Sequence, residues 1–169
     1  MRGPIGATVA LILGATMPRQ AGASDYDHAR FRIIVANPAQ VVGIIEDGAT
    51  EQVKAGPPRL AAFAIYTPSP LDVPAADGRF VGKADLSVFR VMVDCDGWKI
   101  KALAADYFLT PGKARLHHVD YDKALYMPAE EGPPDVIADQ VCGKAGAPHA
   151  TSAVYPGLDG FVAAAKARF

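Results

Sequence analysis

The chain has 169 residues, is half hydrophobic, and balances 17 basic against 18 acidic residues for a formal net charge of −1, with two cysteines. That balance excludes the strongly basic face on which nucleic-acid binding depends. The length suits one domain built around a single core.

The first residues carry Arg2, an apolar stretch from Ile5 to Thr16, and then Ala21-Gly22-Ala23, the small-x-small form that signal peptidase accepts. Residues 1–23 are therefore expected to be a signal peptide cleaved after Ala23. The apolar stretch is roughly a dozen residues, short of the ~20 that cross a bilayer as a helix, so no transmembrane span is expected after cleavage. No cysteine stands at the cleavage point to accept a lipid. Cleavage would leave 146 residues with a net charge of −3, because the removed segment holds Arg2 and Arg19 and no acid.

Phe31 to Val35, Val41 to Ile45 and Leu60 to Tyr66 read as strands. Thr67 to Lys83 contains Pro68, Pro70, Pro74 and the turn-like Asp77-Gly78, which predicts a long surface loop or a flexible hairpin end. Leu86 to Cys95 and Trp98 to Phe108 are two apolar-rich runs around Asp96-Gly97, a strong two-residue hairpin signal. That turn places Cys95 opposite Trp98, Val93 opposite Ile100, Val91 opposite Ala102 and Phe89 opposite Ala104 on an apolar face. The other face pairs Asp94 with Lys99, Met92 with Lys101 and Arg90 with Leu103, and is expected to be partly wet. Ala114 to Val119 reads as a further strand after Thr110-Pro111-Gly112.

Asp135 to Cys142 follows Gly132-Pro133-Pro134 and precedes Gly143, the punctuation of a short helix. Ile137, Ala138, Val141 and Cys142 share one of its faces. In the remaining segment, 143–169, a linker leads to an amphipathic helix marked by Leu158, Phe161, Val162, Ala165 and Phe169. The expected fold is α+β: an antiparallel sheet of about five strands with helix cover and one disulfide.

Two cysteines in an exported chain most often pair, and Cys95 beside the hairpin turn and Cys142 at the helix end carry that reading. A redox or metal role would call for a Cys-x-x-Cys spacing or a histidine cluster, and the chain has neither.

From Leu60 to Cys142 the layout resembles the surface-adhesin protein E-like family of small exported bacterial proteins. The resemblance lies in a strand ending Asp94-Cys95, a following strand reaching Asp106-Tyr107-Phe108, a turn at Pro111-Gly112, and a helix closing with Val141-Cys142. It implies an antiparallel sheet with helix cover over residues 24–142, a bridge between Cys95 and Cys142, and binding of host matrix or plasma proteins. The chain departs from the family in lacking a lipidation cysteine, in its proline-rich segment and in the tail 143–169.

Candidate chemistry is sparse. His117 and His118 are adjacent and point to opposite faces of a strand, and only His28 and His149 remain, so no metal site is expected. Glu130-Glu131 sits in a Pro/Gly-flanked loop and reads as a solvated turn. No Gly-x-Ser-x-Gly elbow or phosphate-cradling glycine loop occurs, so neither catalytic residues nor a cofactor are assigned. Arg90, Lys99 and Lys101 fall on the wetter side of the hairpin, and Arg115 with His117 would extend them into a basic stripe able to attract an anionic partner.

The expectation is an exported protein, periplasmic or secreted, that binds rather than catalyses: adhesin-like or envelope-associated. The alternatives are a periplasmic structural or accessory protein without external ligand, and a small hydrolase or lipid-binding domain. Partners are expected among host or envelope proteins or an anionic surface, with the oligomeric state open.

Overall fold

A computed structural model describes residues 26–46, 58–75, 77–110, 115–143 and 153–169. The expected signal peptide, His149 and the Pro111-Gly112 turn lie outside the described residues. Within them run β1 (Arg30–Asn37), β2 (Gln40–Ile45), β3 (Arg59–Pro74), β4 (Phe80–Asp94), β5 (Lys99–Phe108), β6 (Arg115–Asp120), β7 (Met127–Pro128), α1 (Pro133–Cys142), β8 (Val154–Pro156) and α2 (Gly157–Lys166). The sheet is antiparallel in the order β6-β5-β4-β3-β2-β1-β8, with the short β7 also pairing to β5. Eight strands thus stand where about five were expected.

The two strands that no segment read from the sequence anticipates share a cause. β7 and β8 are two and three residues long and carry no usable periodicity. β8 forms inside the segment expected to be a linker, because α2 docks on the sheet and the chain entering it is laid along β1, with the Gly157 amide donating to the Ala29 carbonyl at 2.7 Å. The strands at β1 and β2 join through Pro38-Ala39, where the Asn37 side chain accepts from the amides of Ala39 and Gln40 at 2.9 and 3.0 Å.

Thr67 to Lys83 is a hairpin arm rather than a loop, since β3 runs on to Pro74 and pairs Leu71 with Ala84 and Asp72 with Lys83. β2 ends opposite Tyr66, so beyond that point β3 is bonded on one side alone. Pro68, Pro70 and Pro74 all lie there, where a missing amide hydrogen breaks no second ladder. Register shifts after Tyr66 and after Val73 absorb the misfit, and Gly78 closes the arm with φ +82°.

The β4–β5 hairpin keeps the expected pairs Val93–Ile100, Asp94–Lys99, Met92–Lys101 and Val91–Ala102. Cys95 to Trp98 form a four-residue turn rather than a two-residue one, with the Gly97 amide donating to Asp94 Oδ1 at 3.0 Å and Trp98 at φ +49°. Past Val91 the register departs from the expected one: Arg90 pairs with Ala104 and Phe89 with Ala105, leaving Leu103 as a bulge. The Leu103 carbonyl accepts instead from the Tyr121 amide at 2.9 Å, after the end of β6.

Helices cover opposite faces of the sheet. On one, Leu158, Phe161 and Ala165 of α2 pack on Phe31, Ile33, Val41, Ala64, Tyr66, Leu86, Val88 and Phe108. On the other, Ile137, Ala138 and Val141 of α1 pack on Val42, Phe63, Val91, Val93 and Ile100. Phe169 lies beyond α2 and is half-exposed, and its ring rests against that of Tyr66 with centroids 6.0 Å apart.

α1 is held at both ends. The Trp98 indole donates to Asp135 Oδ1 at 3.1 Å in its first turn. At its other end Cys142 is joined to Cys95, with Cα atoms 5.6 Å apart, and Arg59 donates to the Val141 carbonyl at 2.6 Å. Gly143 ends the helix in the left-handed region, φ 70°.

Candidate functional site

On the α2 side of the sheet one cross-strand row runs Ala62, Arg90, Ala104, Asp120 through β3, β4, β5 and β6. The neighbouring row runs Ala64, Val88, Asp106, His118. Ala64 and Val88 are buried under α2. Past them the face opens into a groove of about 600 Å³, within the range of small-molecule sites. Ala62, Arg90 and Ala104 make its floor. Leu60, Leu103, Ile45 and Ala29 make apolar walls, while Tyr26, His28 and Asp120 add polar groups to the lining.

One buried carboxylate organises the wall. Asp106 accepts from the Tyr26 hydroxyl at 2.6 Å and from Arg115 at 2.9 Å, and meets His118 Nδ1 at 2.6 Å. His118 Nε2 lies 3.1 Å from Asp120, so both ring nitrogens are engaged by carboxylates. Burial pushes the Asp106 acid up, but Tyr26, His118 and Arg115 together outweigh it and hold the carboxyl below its usual range. Tyr26 also sets its ring edge-on to Phe108 at 6.2 Å. Through these contacts a residue ahead of β1 is tied to β5, and the lead-in Tyr26–Ala29 becomes a wall of the groove.

The four cations expected to form one stripe divide. Arg90 is exposed in the groove floor, and its side chain makes no hydrogen bond or ion pair within the described residues. Lys101 and Lys99 continue along the same face of the hairpin toward the turn, opposite Met92 and Asp94. Arg115 leaves the stripe: a bulge at Leu116 pairs Phe108 with Arg115 and Tyr107 with His117, so Arg115 and His118 turn together onto Asp106 while His117 takes the other face. Alternation along the strand had grouped Arg115 with His117. An extra residue inverts that parity, and no residue pattern announces it.

The other polar sites are closed on themselves. On the α1 side, Asp85 is buried and accepts from the Thr110 amide at 2.8 Å and from the Thr110 hydroxyl. Tyr107 and Tyr121 join their hydroxyls at 3.0 Å, and burial followed by that bond raises the Tyr107 phenol above its ordinary value. Glu130 and Glu131 are exposed beside Trp98. Among the described residues, no group of three or more His, Cys, Asp or Glu is placed to hold a metal ion. No helix among them is long and apolar enough to cross a membrane.

Comparison with known proteins finds no matching family model, no matching curated protein and no matching solved structure.

Proposed function

We propose that the chain is an exported, non-enzymatic binding protein of the cell envelope that holds a small apolar ligand in the groove over Ala62, Arg90 and Ala104. The observation that carries this reading is the groove itself: an apolar-walled space of about 600 Å³ left open on a sheet face whose other half is filled by α2. Small side chains on either side of Arg90 keep that space free, and the Tyr26–Asp106 bond holds one wall in place. The disulfide accords with an oxidising compartment. The polar cluster serves this reading as scaffold, because both nitrogens of His118 are already occupied and its nearest partners are carboxylates.

An adhesin-like role of the kind found in the surface-adhesin protein E-like family is the second reading. It draws on Lys99 and Lys101, which lie beside the β4–β5 turn without ion pairs in the described residues. The two readings separate in one experiment: native mass spectrometry of the protein recovered from the envelope, with the Ala62→Phe and Lys99→Glu/Lys101→Glu variants alongside. A small-molecule adduct that disappears with Ala62→Phe and survives the lysine changes is expected. Absence of any adduct, together with protein-partner binding abolished by the lysine changes, would refute the groove as the site.

A further inference from the structure

Resting on the groove reading above, we infer that the ligand is an amphiphile with one anionic head, a long-chain alkyl carboxylate seated on Arg90. The tail is specified by the walls. Ala29, Ile45, Leu60 and Leu103 present aliphatic surface that an alkyl chain fits, beside the polar groups of Tyr26, His28 and Asp120. The head is specified by charge. Among the described residues Arg90 is the one arginine or lysine in the lining, is exposed there, and its side chain makes no hydrogen bond or ion pair with any of them. A guanidinium between two alanines, with no ion pair among the described residues, offers its planar fork to a pair of oxygens, the geometry that a carboxylate matches.

The nearby acids set the number of charges. Asp120 ends the same cross-strand row but gives its carboxylate to His118, and Asp106 is saturated by Tyr26, Arg115 and His118. Neither neutralises Arg90. Asp120, which lines the groove, adds negative potential beside the site, which tolerates a monoanion against one guanidinium and disfavours a phosphate dianion. His28 lines the same groove and, with Tyr26 and Asp120, makes up its titratable groups besides Arg90 among the described residues.

Isothermal titration of the disulfide-bonded protein with dodecanoate, dodecanol and dodecyltrimethylammonium, each below its aggregation concentration, tests the inference. Dodecanoate is expected to bind about tenfold or more tightly than dodecanol, the scale of one charge-assisted hydrogen bond, with the cationic analogue weakest. Arg90→Gln should bring dodecanoate down to the level of dodecanol, and Arg90→Lys should recover part of the difference. Ala62→Phe should weaken both chains. Arg90 is exposed and without described partners, so its substitutions leave the melting temperature unchanged and serve as folded controls. Equal binding of dodecanoate and dodecanol, unaffected by Arg90→Gln but lost with Ala62→Phe, would overturn the anionic head and leave the groove reading standing. Failure of all three probes to bind would overturn both.

Discussion

Gly43 in the middle of β2 faces the ring of Phe161, and replacing it with alanine should expose how tightly α2 is seated. A Cβ at that position would lie 2.5 Å from Phe161 Cε2 and 2.8 Å from Cδ2, against an ordinary carbon contact of about 3.5–4.0 Å. The ring would have to retreat by about 1 Å. It is fully buried and stacked on Phe31, with centroids 5.2 Å apart and planes at 26°, so the retreat displaces α2 or strains the strand. Overpacking of this kind costs about 1–3 kcal/mol, while the stiffer unfolded chain returns about 0.4–1 kcal/mol. A net loss of about 1–2 kcal/mol is expected for Gly43→Ala. With Phe161→Ala, which costs about 3–5 kcal/mol alone, the obstruction is gone and the same substitution should be neutral or stabilising. Urea denaturation of the four proteins closes the cycle, with Phe161→Leu in reserve should the alanine variant be too unstable. A coupling of about 1–3 kcal/mol is expected. Additivity within about 0.5 kcal/mol would refute the packing of Phe161 on Gly43.

The bridge closes a segment with a sequence separation of 47, worth about 4 kcal/mol in the chain-entropy account. Cys142→Ser should therefore lower stability by about 2–4 kcal/mol and the melting temperature by several degrees in scanning calorimetry; an unchanged transition would count against a formed bridge. Asp106 has its carboxyl pKa lowered on folding, so its contribution is present above the ordinary carboxylate range and lost as pH falls through the lowered value. The native protein should lose this contribution below about pH 4, whereas Asp106→Asn should be less stable by about 2–4 kcal/mol at neutral pH and show a flatter acid limb. Acid unfolding followed by circular dichroism checks both, and an acid limb unchanged by the substitution would show that other carboxylates govern it.

The parts of this protein visible in one dimension are those whose pattern is local. The β4–β5 hairpin follows from two apolar runs around Asp96-Gly97. α1 follows from Pro133-Pro134 and Gly143, and the apolar face of α2 from Leu158, Phe161 and Ala165. Cys95 and Cys142 fall beside the turn and at the helix end that those patterns bring together. Arg90 was legible as a solvent-side cation of the hairpin. Its place in a groove was not, because Ala62, Ala104 and Asp120 reach it from three other strands and share no spacing in the chain. Nor did alternation reveal the bulges at Leu103 and Leu116, since an inserted residue looks like any other until its neighbours claim its carbonyl or fold its partners onto Asp106. The prolines of the β3–β4 arm left loop and hairpin end undecided for the same reason: a proline disfavours a strand with neighbours on both sides, and whether β2 extends far enough to be the second neighbour is a property of the assembled sheet. Period and punctuation set the elements and one staple. Register and the meeting of distant rows, which depend on contacts far apart in the chain, set the site.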